Sequence, residues 1–232
     1  MPRSIGARIR AARAERGLGV RELARLADCS ASLVSQVERG RANPSVSTLY
    51  ALSDALNISV ASLFEQPRPA EPCGGPPHPP AADALAFAAN APAQPDWGWA
   101  RGDGEEAPAR QGMTELERST VLRRSDRRLI NLERGVRWEL LIPQPERDLD
   151  FMEVCYAPAG GSSADEHAIR HHGRELGVVL EGMLSAQVGF QQYDLEPGDS
   201  LAFESTTPHR YWNGGLVPVR GIFVVLGARP HR

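Results

Sequence analysis

Residues 18–56, LGVRELARLADCSASLVSQVERGRANPSVSTLYALSDAL, determine how the amino-terminal part of this chain folds. The first segment carries one apolar stripe at the helical period, formed by Val20, Leu23, Ala24 and Ala27. Asp28 breaks the stripe, and Ser30 is a suitable N-cap for a second helix. That helix stops at Gly40, and Pro44 prevents its continuation. The pattern predicts two short helices joined by a tight turn, followed by a third helix that packs on them.

The second predicted helix has an apolar face and a polar face. Its apolar face consists of Leu33, Val34 and Val37. At about 100° per residue, four polar side chains lie within roughly a quarter-turn of one another on the opposite face. They are Ser32, Ser35, Gln36 and Arg39. Short or planar hydrogen-bonding groups of this kind suit base edges and phosphates in a major groove. An ordinary helical bundle with a solvated polar face is the alternative.

The same stretch resembles the Cro/repressor type of helix-turn-helix, which bacterial regulators of the XRE family carry. The run SQVERGRANPS (35–45) and an upstream Leu-Ala pair carry the resemblance, whereas Gly19 stands where such proteins usually place a capping Thr or Ser. The resemblance implies a lambda-repressor-like DNA-binding bundle of five helices over residues 1–66, the last of them a short helix at 59–66. The DNA-binding residues implied in this way are Arg21, Ser30, Ser32, Ser35, Gln36, Arg39 and Arg41.

Charge is divided unevenly along the 232 residues. All 26 basic residues are arginine, and the formal net charge is −3. Residues 1–65 hold nine arginines and six acidic residues, which gives +3, so the remainder carries −6. Basic charge therefore accompanies the segment that resembles a DNA-binding domain.

The sequence also bears on where the protein works. No apolar run approaches the roughly 18 residues that a membrane span requires. The segment SIGARIRAARAERG (4–17) is rich in arginine and lacks the apolar centre of a signal peptide. We therefore expect a cytoplasmic protein without a membrane partner.

Residues 67–112 differ sharply in composition from what precedes them, with 10 prolines and 12 alanines among 46 residues. Such a segment cannot propagate helix or sheet hydrogen bonding and buries too little apolar area to order itself. We interpret it as a semi-stiff linker. Trp97 and Trp99 are unusual in a linker, and the sequence leaves open whether they dock on a neighbouring domain.

From residue 113 to 232 the pattern is typical of β-strands. Strand-like runs bounded by Gly, Pro or Asn lie at 136–143, 149–158, 175–189, 201–205 and 217–227. No helical pattern of 10–15 residues intervenes, which argues against a parallel α/β sheet. About eight to ten short strands in this length predict a sandwich or a jelly-roll barrel. The predicted fold class is therefore α + β, with a helical domain followed by an all-β domain.

Two motifs in this second domain resemble the two motifs of the cupin superfamily. In HAIRHHGRELGVVLEG (167–182) the matching positions are His171, Glu175 and Gly182. In LEPGDSLAFESTTPHRYWN (195–213) they are Pro197, Gly198, His209 and Asn213. The first histidine of the family motif would fall at position 169, which is Ile169 here. The resemblance implies a cupin jelly-roll barrel that binds an effector in a pocket with His171, Glu175 and His209. Tyr211 and Asn213 share the strand parity of His209, so we expect them to line the same pocket.

The pocket has two interpretations. His171, Glu175 and His209 form a two-histidine, one-carboxylate set that suits Zn, Ni, Mn or Fe(II), and His167 is a candidate fourth ligand. The alternative is a polar patch in an organic-ligand pocket without a metal, which the loss of a ligand at Ile169 favours. The segment HHGRELGVVLEG resembles polyamine- and amino-acid-responsive repressors, which implies an amine effector paired with Glu175. Candidates for the pocket walls are Trp138, Phe203 and Phe223, which otherwise belong to the core.

Three functions are compatible with these patterns. The first is a transcriptional regulator, not an enzyme, in which a homodimer binds a palindromic double-stranded operator and the cupin domain senses a small molecule. The second is a metal-dependent cupin oxygenase or isomerase with a DNA-binding appendage, which the incomplete ligand set disfavours. The third is an antitoxin with a toxin-binding tail, which the well-formed β domain disfavours.

Overall fold

A computed structural model describes residues 4–64, 114–146, 148–163 and 168–227. The predicted linker (67–112), with Trp97 and Trp99, lies outside the described residues, and so does His167.

The amino-terminal unit is helical. Its elements are α1 (Ile5–Glu15), α2 (Val20–Leu26), α3 (Ala31–Glu38), α4 (Val46–Leu56) and a 3₁₀ helix (Val60–Leu63). The side chains of Ser4, Ser30 and Ser45 cap α1, α3 and α4 by accepting backbone N–H bonds, while Gly19 gives α2 no side-chain cap. The expected helix at 59–66 is a four-residue 3₁₀ helix, because Phe64 adopts an extended conformation that ends it.

An ion pair and a glycine fix α3 against α1. The Arg13 guanidinium donates to both carboxylate oxygens of Glu38, at 2.6 and 2.9 Å, and both side chains are largely buried. A Cβ atom at Gly6 would lie 2.0 Å from the carbonyl oxygen of Val37, so only glycine allows the two helices to approach this closely. The position of α3 is therefore set by contacts on its inner side.

The carboxy-terminal unit is β-rich and opens with a short helix, α5 (Glu115–Thr120). Its strands are β1 (Leu129–Asn131), β2 (Val136–Leu140), β3 (Leu149–Tyr156), β4 (Arg174–Glu181), β5 (Leu184–Val188), β6 (Gln191–Leu195), β7 (Ser200–Glu204), β8 (His209–Trp212) and β9 (Val219–Leu226). They form a six-stranded sheet in the order β1-β2-β3-β9-β4-β7 and a three-stranded sheet in the order β6-β5-β8. All paired strands are antiparallel, as the absence of long helical patterns predicts.

The central strands alternate between two faces at the period of two that strands require. On β4, Glu175, Gly177 and Val179 are buried, and the residues between them are partly exposed. On β9, Phe223 and Val225 are buried in the same way. The inner face of the six-stranded sheet therefore lines the interior, where the predicted pocket residues lie.

The two units share one hydrophobic core and hydrogen bonds between them. The backbone N–H of Ala61 donates to Asp150 Oδ1 on β3, at 3.1 Å, in a buried setting. The backbone N–H of Glu133 donates to the carbonyl oxygen of Pro44, at 3.0 Å. The helical unit therefore docks on the β-rich unit through α4, the 3₁₀ helix and the segment before α4. Within the described ranges, no helix has the length and apolar character that crossing a bilayer demands.

The close approach at Gly6 gives a stability test. We expect Gly6→Ala to lower the free energy of unfolding by about 2 kcal/mol or more, because the new methyl group meets the backbone of Val37 rather than a movable side chain. Urea denaturation followed by circular dichroism measures the change. Gly214→Ala is the matched control, since an added Cβ atom there meets only Trp212, at 3.9 Å or more, and it should stay within about 0.5 kcal/mol of the parent protein. Equal stability of the two variants would contradict the packing described for α1 and α3.

Candidate functional site

The polar face of α3 is the first candidate site. Helices α2 and α3 are joined by a turn in which Asp28 has a positive φ of 47°, and the two helices pack directly on each other. Val34 and Val37 are fully buried, so α3 is anchored by its apolar side. The predicted DNA-binding residues are exposed except for Ser35, which is half-buried; the exposed ones are Arg21, Ser30, Ser32, Gln36, Arg39 and Arg41.

Three of these polar residues, Ser30, Ser32 and Gln36, also make local hydrogen bonds. Ser30 Oγ accepts the backbone N–H of Leu33 at 3.1 Å, so this serine serves as the N-cap of α3 besides being exposed. Gln36 Nε2 donates to Ser32 Oγ at 3.4 Å across one helical turn. This bond holds the amide of Gln36 along the exposed face of α3.

The second candidate site lies inside the β-rich unit. His171, Glu175 and His209 are all buried, and one ligand atom from each lies within 4.8 Å of the others. Glu175 Oε2 is 3.2 Å from His171 Nε2 and 3.5 Å from His209 Nε2. Glu175 belongs to β4 and His209 to β8, while His171 precedes β4 rather than sharing its strand. The structure thus brings together the three residues that the cupin motifs indicated.

Backbone carbonyls fix the tautomers of both histidines. His171 Nδ1 lies 3.1 Å from the carbonyl oxygen of His172, and His209 Nδ1 lies 2.8 Å from that of Thr207. A carbonyl oxygen only accepts, so in each ring Nδ1 carries the hydrogen and the lone pair of a neutral ring resides on Nε2. Neither Nε2 atom makes a hydrogen bond of acceptable geometry, although both face Glu175. The two Nε2 lone pairs therefore face the negatively charged Oε2 of Glu175. A cation bound between them would remove this electrostatic repulsion.

The charge state of this cluster follows from its surroundings. Burial acts to raise the pKa of Glu175, but the neighbouring imidazoles of His171 and His209 and the O–H of Tyr211 outweigh burial and lower the pKa below its ordinary value. Tyr211 Oη donates to Glu175 Oε1 at 2.7 Å. Burial lowers the pKa of His209 despite the nearby carboxylate. Near neutral pH the cluster therefore holds an ionised carboxylate facing a neutral imidazole at His209.

Aromatic rings surround the carboxylate. The cavity around it is lined by Trp138, Tyr156, Tyr211 and Phe223 together with apolar side chains of β3 and β9. The fifth ring is Tyr50 from α4, whose plane lies 8° from that of His171 with the ring centroids 3.9 Å apart. The remaining volume is about 20 Å³, which holds about one water molecule.

Sequence patterns missed Tyr50, although a signal was present. Val46 and Tyr50 lie four residues apart, which places them on a second apolar face of α4 beside the stripe that includes Leu49 and Leu52. Both Val46 and Tyr50 line the cavity of the other unit. A helix with apolar groups on two faces requires a second packing partner, and the β-rich unit is that partner.

Other predicted pocket residues lie elsewhere. Asn213 does not line this cavity: its Nδ2 donates to the carbonyl oxygens of Tyr156 and Val217, and its Oδ1 accepts from Gly215, so the side chain holds a backbone turn. Phe203 is outside the lining but packs edge-on against His209, with centroids 4.9 Å apart. Trp138 and Phe223, which the sequence left open between core and pocket wall, are core residues that also line the cavity.

Comparison with known proteins divides the chain into the same two parts, the helical unit and the β-rich unit. Residues 4–63 match a family of helix-turn-helix domains, and residues 152–225 match the family of cupin domains. The chain is a helix-turn-helix transcriptional regulator with a carboxy-terminal cupin domain. This confirms the family that the sequence motifs indicated, and with it the DNA-binding class of the protein.

Individual relatives of this regulator cover most or part of it. It is 26% identical over 210 residues to the HTH-type transcriptional regulator PuuR of Escherichia coli, covering 90% of this chain and 86% of PuuR. It is 45% identical over 60 residues to the immunity repressor protein of Bacillus phage phi105, covering 26% of this chain and 42% of the repressor. The crystal structure of an HTH_3 family transcriptional regulator from Vibrio cholerae shares the fold, with a TM-score of 0.56 and 18% identity over 98% of this chain and 96% of that one.

Proposed function

We propose that this regulator is a cytoplasmic homodimer that binds a palindromic operator through α3 and binds a small effector in the cupin cavity. The observation that carries the proposal is the exposed polar face of α3 on a helix whose other side is anchored by Val34, Val37 and Glu38. A helix held rigidly on one side presents its polar groups in a fixed pattern, which suits insertion into a major groove. Relatives named as transcriptional regulators support this function over a cupin oxygenase or isomerase.

Base contacts and phosphate contacts can be separated by substitution. We expect Gln36→Ala and Ser32→Ala each to weaken operator binding by about 1–3 kcal/mol while leaving binding to random duplex nearly unchanged. We expect Arg39→Ala to weaken binding to both duplexes and to reduce the salt slope by about one. Fluorescence anisotropy at several salt concentrations measures both, with an operator selected from random duplexes by the parent protein.

Arg10→Ala is the charge-matched control, because Arg10 is exposed on α1, outside the polar face of α3. It should reduce affinity for the operator less than Arg39→Ala does. Equal losses on operator and random duplex for Gln36→Ala would show that this face does not contact bases.

The proposed dimer is supported by the outer face of the six-stranded sheet. One row of outward side chains crosses four neighbouring strands, from Phe151 through Val224 and Leu176 to Ala202. Three of the four are large apolar residues that remain partly exposed. Two operator half-sites require two copies of α3 related by a two-fold axis, and a second copy of this chain on the apolar row supplies that axis.

Sedimentation velocity tests the dimer. We expect the parent protein to sediment as a dimer and Leu176→Glu as a monomer, because a carboxylate at the centre of the row would be buried without a partner. Gln192→Glu, on the exposed strand β6, adds the same charge elsewhere and should remain dimeric. A monomeric parent protein, or a dimeric Leu176→Glu variant, would exclude this interface.

The cavity supports a cationic effector. Glu175 is an ionised carboxylate enclosed by aromatic rings, and an ammonium group gains from both the charge and the ring faces. Trp138 Nε1–H is buried and finds no acceptor among the described residues, so it is free to donate to an oxygen of the ligand. An amine or an amino-acid-like metabolite satisfies both groups.

A divalent metal is the second candidate, and the histidine tautomers favour it. His171 Nε2, His209 Nε2 and Glu175 Oε2 would hold Zn, Ni, Mn or Fe(II), with both Nδ1–H groups bonded to carbonyl oxygens as metal-binding histidines require. Ile169 is buried where a further histidine would stand, so the described residues offer three protein ligands. A bound ion would supply a Lewis-acidic position to an effector oxygen.

Substitutions distinguish the two cations. We expect Glu175→Gln to abolish binding of either, because it removes the charge that both need. We expect His209→Gln to abolish metal binding but to leave the affinity for putrescine and amino acids within about threefold. Elemental analysis by mass spectrometry and isothermal titration calorimetry measure the two, with the exposed His172→Gln as the control. If the parent protein contains no metal and releases no heat with any amine, both candidates are wrong.

A further inference from the structure

The side chain of Tyr50, which belongs to the DNA-binding unit, lines the cavity of the cupin domain. Its ring stacks on His171 and lies 5.8 Å from the ring of Trp138, centroid to centroid. Only 6% of Tyr50 is exposed, and Val46, one turn earlier on α4, lines the same cavity. The helical unit therefore forms one wall of the pocket that surrounds Glu175.

The cavity is too small for an organic ligand while this wall is in place. Its remaining volume of about 20 Å³ holds about one water molecule. A metal ion fits that space, whereas an amine of several heavy atoms does not. Among the rings that line the cavity, that of Tyr50 belongs to the helical unit, so it is the ring that leaves when the two units separate.

The ring is attached to a rigid element. Leu49 and Leu52, on either side of it in α4, are completely buried in the core of the helical unit. The same docking surface carries the Ala61–Asp150 and Glu133–Pro44 hydrogen bonds. If the Tyr50 ring leaves the cavity together with α4, these two hydrogen bonds therefore break as well.

We propose that an organic effector and the docked helix-turn-helix unit compete for one place, the face of His171 on which Tyr50 stacks, so that effector binding releases the DNA-binding unit. This rests on the effector-binding function proposed above. The polar face of α3 is exposed while the unit is docked, so docking controls how α3 is oriented relative to the cupin domain and leaves the face itself accessible. A released unit loses the fixed orientation that binding to two half-sites exploits.

Two backbone amides report directly on docking. The amides of Ala61 and Glu133 each donate across the contact, and their hydrogen exchange can be followed by NMR in the full-length protein. We expect Tyr50→Ala to raise exchange at both amides at least about tenfold, because it removes a central aromatic anchor, while amides in the cores of the two units keep their protection. Tyr50→Phe, which retains the ring, should stay within about threefold of the parent protein.

Tyr193→Ala is the matched control, since this tyrosine is 49% exposed on β6 and lies outside the cavity. It should leave exchange at Ala61 and Glu133 unchanged. Unchanged exchange in Tyr50→Ala, or an equal rise in Tyr193→Ala, would overturn the proposal.

The competition is tested with two probes. The first is 4-methylphenol, which is the tyrosine side chain as a free molecule and fits the vacated volume whatever the natural effector is. We expect it to bind Tyr50→Ala at least about tenfold more tightly than the parent protein, because no attached ring competes with it. The second is putrescine, which should bind Tyr50→Ala more tightly than the parent and, at saturation of the parent, raise exchange at Ala61 and Glu133.

The outcomes separate this inference from the proposed effector class. Putrescine binding at saturation with both amides still protected would show that the ring moves alone, and would overturn the proposal. If putrescine binds neither protein while 4-methylphenol still prefers Tyr50→Ala, the amine class is wrong and the competition for His171 stands. Equal affinity of 4-methylphenol for both proteins would overturn the competition itself.

Discussion

A carboxylate buried among imidazole and aromatic rings is the constraint on which the cupin domain depends. Glu175 is 4% exposed, and an ionised group at that depth requires hydrogen bonds or positive charge nearby. Strand β8 supplies His209 and Tyr211, and the segment before β4 supplies His171. The two ring Nδ1–H bonds to backbone carbonyls orient the imidazoles before any ligand arrives. The site is therefore preorganised for positive charge, and the fold holds the strands in the register that this requires.

The helical unit completes that site, which changes how the two halves of the regulator can be coupled. The described residues of the two units are in direct contact, so coupling between the units has a route that does not pass through residues 67–112. Tyr50 is in direct contact with His171, so this contact links the occupancy of the cavity to the position of the DNA-binding unit. The buried Asp150–Ala61 bond makes this contact specific, because a misplaced unit would leave the Asp150 carboxylate without that donor.

Sequence patterns predicted the parts of the structure that repeat or that match a known spacing. The stripes at Leu23 and Val34 located α2 and α3, and the cupin spacing located His171, Glu175 and His209. Strands β1 and β8 carry too few residues for a period of two to stand out, whereas β6 and α5 have no buried residue to mark them. Tyr50 was missed, and Asn213 was expected in the pocket but bonds to backbone atoms, for a shared reason: their contacts depend on partners distant in sequence, which local periodicity does not report.

One consequence of the alternating pattern in β4 extends beyond the cavity. Glu175 and Leu176 are adjacent in the chain, yet the first is buried in the interior and the second belongs to the outward apolar row. Only the thickness of a single peptide layer separates the interior from that row. A displacement of β4 by a fraction of an ångström on the inside is therefore also a displacement on the outside, and in the proposed dimer a twist of the sheet would change the angle between the two copies.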